Sequence, residues 1–186
     1  MRRNASAAGL PCRRREARLY FSVMNAYKTL LAEYADAQFD GASFDGPSLM
    51  KTLESLGPEA AASTETHEGY SAWEVALHVL FYKRFILEKI RGEGSLGPYP
   101  YPRANFTAPP KVDADEWKLL HGRMRDTHRA VMDAIRDLPE ERLPEIIPEW
   151  KTELGKAVAW LCGHDGYHAA QIRNMGVPGL RKPRED

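Results

Sequence analysis

Four stretches with the apolar periodicity of amphipathic helices, and no convincing strand, limit what this chain can fold into. Apolar residues recur every three or four positions over about residues 24–39, 71–90, 113–138 and 152–175. A shorter helix is predicted over 48–56, where it is stopped by a Gly-Pro pair. We therefore predict an all-α protein, a four-helix bundle whose helices bury their apolar faces against one another.

The sequence also indicates where these helices begin and end. Ser71 precedes Glu74, and Asp113 precedes Glu116, by the three residues of a capping box. Gly176 is typical of a helix C-terminus. Long connections rich in glycine, proline and aromatic residues separate the predicted helices, so the bundle need not have a simple up-and-down order.

The length of 186 residues fits one domain with a single core, which we place at residues 24–178. Residues 1–18 hold six arginines and one glutamate, so the remainder of this neutral chain is net acidic. We interpret residues 1–23 either as a basic, disordered leader or as an extension upstream of a true start at Met24. Residues 179–186 form a charged tail.

The amino-acid composition argues against two classes of protein, general nucleic-acid binders and proteins that span a membrane. The chain is 43% hydrophobic and 28% charged, which is typical of a soluble globular protein, and its zero net charge argues against a general nucleic-acid binder. No apolar stretch is long enough to cross a membrane. The two cysteines, Cys12 and Cys162, form no disulfide framework and favour a reducing, cytoplasmic compartment. Cys162 is predicted to be a small core residue.

Two histidines in the last helix, within "GHDGYHAAQI", suggest a metal site. His164 and His168 are four residues apart, so their imidazoles lie on one helix face and can converge on one point. Asp165 stands where metalloproteases with an HExxH motif have their glutamate, so that chemistry is disfavoured. The spacing alone leaves open a structural pair.

His78, within the apolar stretch "EVALHVLFYKRF", is the candidate for a third ligand. A buried imidazole needs polar partners, which a metal ion would provide. The alternative is a core histidine bonded to Tyr82 or Tyr167. We predict that His121 and His128 lie on a solvated helix face, because their neighbours are basic and polar, and that His67 lies in a loop.

Two motifs in combination resemble the DinB-like superfamily. They are "YSAWEVALHVLFY" and "HDGYHAAQI", and the resemblance covers roughly residues 24–175. It implies a four-helix bundle with unusual connectivity, often a homodimer. It also implies a divalent metal ion, zinc or nickel, bound by His78, His164 and His168. Ala170 stands where the family often has glycine, a change that we interpret as neutral.

The resemblance also implies a range of functions. Some family members are thiol S-transferases that use low-molecular-weight thiols, and others resemble maleylpyruvate isomerases. Three histidines on one metal ion leave a coordination position open for water or a thiolate, as in catalytic sites. We therefore expect a metal-dependent enzyme that acts on a small molecule by thiol S-transfer or hydrolysis. The alternative is a non-catalytic, metal-stabilised bundle with a stress-associated or protein-interaction role.

Several residues near the three histidines are candidates for supporting roles. Gln171 lies close to the ligand face and is expected to contact a ligand or the substrate. Asp165 is rotated by roughly 100° from His164, which favours an interhelical contact, and Tyr167 is expected to pack. Tyr82 and Arg84 are alternative pocket residues.

The apolar loop "PYPYPRANF" is a candidate for the substrate entrance. Arg103 is its only charged residue and would meet an anionic substrate or thiol.

Overall fold

The computed structural model describes residues 12–92 and 106–180, with side chains in the first range from residue 26 onward. Residues 1–11 of the predicted leader, Arg103 with most of its loop, and residues 181–186 of the charged tail lie outside the described residues.

The described residues are mostly helical, which confirms the all-α prediction. The helices are α1 (Cys12–Phe39), α2 (Leu49–Glu54), α3 (Pro58–Ala62), α4 (Ala72–Arg91), α5 (Ala114–Asp137) and α6 (Leu154–Asn174). A short 3-10 turn, Glu140–Arg142, and a small antiparallel hairpin, β1 (Ile146–Ile147) with β2 (Thr152–Glu153), join α5 to α6. Helix α1 begins well before the predicted Met24, and Pro58 begins a further short helix rather than only ending one.

The helix ends agree with the predicted caps. The Ser71 hydroxyl accepts a hydrogen bond from the Glu74 amide at 3.1 Å, and the Glu74 carboxylate accepts one from the Ser71 amide at 2.7 Å. The Asp113 carboxylate caps α5 by accepting from the Glu116 amide at 2.8 Å. Gly176, with a φ of 83°, follows the end of α6.

The four long helices pack as a ring in which neighbours in sequence are not always neighbours in space. Both α1 and α4 pack against α5 and α6. Helices α1 and α4 therefore lie on opposite sides of the bundle, as do α5 and α6. The long connections from α1 to α4 and from α5 to α6 thus cross the bundle, and α4 lies directly beside α6.

A layer of polar side chains divides the core into two apolar clusters. One cluster is centred on Trp73, Leu53 and Trp117, and the other on Phe85, Met132 and Leu161. In the polar layer between them, Lys83, His128, Asp165 and His168 are buried, and His78 and His164 are half-buried. Lys83 lies between Leu80 and Phe85 on α4, His128 between Met124 and Val131 on α5, and Asp165 between Cys162 and Ala169 on α6. The polar residues of three helices therefore meet at one level of the bundle.

The prediction that His128 is solvated was wrong. Its side chain is buried, and its ring stacks on Phe39 of α1 with a centroid distance of 4.0 Å. The reason is that His128 shares the buried stripe of Met124, Val131 and Ile135, while its basic neighbours face outward.

The remaining two histidines outside the polar layer lie nearer the surface. His121 is half-buried, with its ring against Trp117 at 4.4 Å, so it is less solvated than predicted. His67 lies in the loop before α4, as predicted, and it is exposed. Among the described helices, none has the length and apolar character needed to span a membrane.

Candidate metal centre

The structure brings His78 of α4 together with His164 and His168 of α6. One nitrogen from each imidazole lies within 4.8 Å of the other two, and the Nε2 atoms of His164 and His168 are 3.0 Å apart. Imidazole nitrogens that share one tetrahedral zinc ion are about 3.4 Å apart. The cluster is therefore compatible with a divalent metal ion.

Helix packing determines this arrangement. The cap at Ser71 sets where α4 begins, and His78 lies about two turns later on the side that faces α6. On α6, Gly166 allows close approach of α1, because a Cβ there would lie 2.5 Å from Gln38 Oε1. The glycine of the "HDGYH" segment thus leaves room for the buried Gln38 side chain of α1.

Gln171 orients one of the three imidazoles. His168 Nδ1 lies 2.6 Å from Gln171 Oε1 and donates a hydrogen bond to it, so that Nε2 faces the cluster with its lone pair. The Gln171 amide in turn donates to Glu68 Oε2 at 2.5 Å. Gln171 thus contacts one ring of the histidine cluster. Glu68, in the loop before α4, was missed because no motif marks it.

Burial keeps His164 and His168 neutral. It lowers the pKa of His164 to about 2 and that of His168 to about 4, and the neighbouring imidazoles add to both effects. His164 Nδ1 is buried and has no hydrogen-bond partner among the described residues. Neutral imidazoles keep the lone pairs that metal binding requires.

The other predicted supporting residues have different surroundings. Asp165 is fully buried and accepts a hydrogen bond from Lys83 at 2.7 Å, so it makes an interhelical contact. Tyr167 is 67% exposed and lies edge-on against the His168 ring, which places it on the surface rather than in the core. Cys162 is buried, and burial raises the pKa of its thiol to about 11, which suits a core residue.

An aromatic cavity of about 250 Å³ opens onto the cluster. Its walls include two of the histidines and mostly apolar side chains: His78, Tyr82, Ile86, Trp150, Trp160 and His164. The Tyr82 ring lies 4.8 Å from that of His78, and Trp150 lies behind it at 5.8 Å. The cavity is large enough for a small apolar group, and Tyr82 lines it.

Phe106 is the described end of the loop predicted as the substrate entrance. Its ring stacks on His78 with a centroid distance of 4.7 Å and an interplanar angle of 4°. It also stacks on Tyr70 at 4.1 Å. Its φ of 57° is uncommon for an aromatic residue, so packing holds the backbone in an unfavourable conformation.

Comparison with known proteins supports the resemblance. A family model of the DinB superfamily matches residues 46–172, which is more than half of the chain and includes all three histidines. No curated protein and no solved structure matches the chain. With the helical fold and both histidine motifs inside the matched range, this chain belongs to the DinB superfamily.

Proposed function

We propose that this protein is a metal-dependent enzyme that acts on a small molecule, by thiol S-transfer or by hydrolysis. The observation that supports it best is the contact between the histidine cluster and the aromatic cavity. Structural zinc sites are closed by four protein ligands, whereas catalytic sites have three and an open position. The described residues supply three ligands and a space beside them.

Each group has a distinct role in this proposal. His78, His164 and His168 would bind the ion, zinc or nickel, and Gln171 would hold His168 in the required tautomer. The bound ion supplies a Lewis acid that lowers the pKa of a thiol or a water molecule in the open position. The aromatic walls of the cavity would bind the apolar part of the substrate and exclude bulk water.

Metal content is the first test. The untagged full-length chain should contain close to one divalent ion per molecule by plasma mass spectrometry, and His168→Ala should lose most of it. His121→Ala is the matched control, because His121 is a half-buried histidine outside the cluster. Equal metal content in the two variants, or none in any protein after incubation with zinc and nickel, would refute the site.

The second test is whether the bound metal ion has a coordination position that accepts an external ligand. The visible spectrum of the Co(II)-substituted protein should change on addition of azide or 2-mercaptoethanol, because an open site accepts an external ligand. Thiol transfer to 1-chloro-2,4-dinitrobenzene and hydrolysis of 4-nitrophenyl acetate can then be compared. A metal-loaded protein whose spectrum does not respond would instead be a non-catalytic, metal-stabilised bundle.

We also propose a homodimer and a cytoplasmic location. The dimer is supported by a stripe on α1 where Tyr27, Leu30 and Tyr34 are each about half exposed or more. The location rests on the reducing compartment that the cysteine usage favours. Sedimentation of the wild type and of Leu30→Glu tests the dimer, which the variant should dissociate.

A further inference from the structure

A second cavity, of about 460 Å³, also reaches the candidate metal centre. The two cavities share only His78 among their lining residues. A molecule bound in the second cavity would therefore approach the histidine cluster from a different side than one bound in the aromatic cavity. Arg84 of α4 and Arg123 of α5 both line it, together with the polar Thr107. No aspartate or glutamate is among its described lining residues.

The two arginines differ from most of the other described arginines in having no partner among the described residues. Arg84 and Arg123 form no hydrogen bond or ion pair with any described residue, and both are exposed. Arg125, only two residues along the chain, is bound by Asp40 and Glu54. The other arginines that bind carboxylates or backbone carbonyls are Arg129, Arg136, Arg142 and Arg173.

Two cations in one cavity, with no carboxylate among its described lining residues, make a site for an anion. Guanidinium groups bind carboxylates and phosphates through paired hydrogen bonds, and these are stronger than bonds between neutral groups. An anion there would also relieve the repulsion between the two positive charges. Leu77, Leu80 and Phe81 supply an apolar wall beside them, which reduces screening by water.

We infer that the substrate of this enzyme carries a carboxylate or phosphate group, which Arg84 and Arg123 bind while its reacting atom lies at the histidine cluster. The inference rests on the proposed function. It names the substrate class as small anionic molecules, and it makes Arg84 and Arg123 determinants of specificity.

The experiment compares two thiols of similar size on the Co(II)-substituted protein. 3-Mercaptopropionate carries a carboxylate where 3-mercapto-1-propanol carries a hydroxyl, so both reach the metal through sulfur and differ in charge. Spectral titration at low salt should show that the acid binds about tenfold more tightly, as expected for charge-assisted hydrogen bonds in a partly exposed site. Arg84→Gln and Arg123→Gln should each reduce that preference and leave the affinity for the alcohol unchanged.

Arg91→Gln is the matched control, because Arg91 is also exposed and without a partner among the described residues but does not line this cavity. It should retain the full preference. Equal affinity for the two thiols in the wild type, or a preference that survives in both variants, would overturn the inference.

A measurement on metal-free protein separates this inference from the proposed function. Calorimetric titration with phenyl phosphate should show binding that the Arg84→Gln/Arg123→Gln double variant weakens about tenfold. If neither thiol changes the Co(II) spectrum, the proposal of an open metal site is refuted. The binding of phenyl phosphate then remains as the test of the anion site. Equal binding of phenyl phosphate by wild type and double variant would then refute it.

Discussion

The ammonium group of Lys83 lies 2.7 Å from the carboxylate of Asp165, and both side chains are completely enclosed. Lys83 also donates a hydrogen bond to His128 Nδ1 at 3.0 Å. The other ring nitrogen of His128 donates to Asp36 at 2.8 Å. This network links all four long helices, and Asp165 directly follows His164. It therefore fixes α6 at the position where the candidate metal centre is built.

Removing one member of the buried ion pair should destabilise the fold strongly. Lys83→Met leaves the Asp165 charge buried without its partner, and the free energy of unfolding should fall by about 3–5 kcal/mol. In the Lys83→Met/Asp165→Leu double variant both charges are gone, so most of that loss should be recovered. Urea unfolding measures all three proteins. Equal midpoints for the single and double variants would contradict the prediction.

Stability of the metal-free protein should fall in mild acid, partly through His128. Burial, followed by the charge of Lys83, lowers the pKa of His128 to about 4, while the Asp36 carboxylate opposes this effect. The folded pKa lies below the unfolded value, so the unfolded state binds the proton first as pH falls. The stabilisation is therefore complete above about pH 6.5 and is lost between there and pH 4, by roughly 2–3 kcal/mol.

Urea unfolding at pH 7.5 and pH 5 checks this prediction. His128→Gln has no proton to gain, so the variant should lose less stability between the two pH values than the wild type does. The comparison is needed because burial raises the pKa of Asp165, which contributes in the opposite direction. The same pH dependence in both proteins would show that His128 does not contribute.

Gln171→Ala should weaken metal binding without removing a ligand. The variant loses the hydrogen bond to His168 Nδ1, so the imidazole is no longer held with Nε2 toward the cluster. Removing a residue that hydrogen-bonds to a metal-binding histidine typically lowers the metal affinity about 10–100-fold. Competition with a chromophoric chelator measures the affinity. Asn174→Ala, one turn later on the exposed face of α6, is the control and should bind metal like the wild type.

Two glycines of α6 should respond oppositely to alanine. A Cβ at Gly166 would lie 2.5 Å from Gln38 Oε1, and Gln38 is buried and bonded to Ser43 and Asp45, so the clash cannot be relieved easily. Gly166→Ala should therefore destabilise the protein by about 1–3 kcal/mol.

Gly163→Ala is the matched substitution, because a Cβ at that position would have no atom within 4 Å apart from its chain neighbours and the backbone of its own helix. It should stabilise the helix by about 0.5–1 kcal/mol, since alanine loses less backbone entropy than glycine. Thermal unfolding distinguishes the two variants. A Gly166→Ala protein as stable as Gly163→Ala would mean that α1 and α6 do not approach as closely as described.

The sequence by itself determined the features that are local to each helix. Periodicity predicted the four long helices, and the Ser71 and Asp113 caps placed two of their starts, because a cap depends only on residues within one turn. The pairing of His164 with His168 followed from the geometry of one helix. The choice of His78 needed the family resemblance as well, since it lies on another helix.

Only the tertiary structure decided how the polar residues of different helices meet. His128 is surrounded by basic residues in sequence and is nevertheless buried, because α1 supplies Phe39 and Asp36 across the helix interface. The Lys83–Asp165 pair joins residues on two helices, and no local pattern indicates it. Burial and long-range pairing depend on which helix faces lie opposite each other. That is set by the whole bundle, which is why the buried polar layer had to be seen in three dimensions.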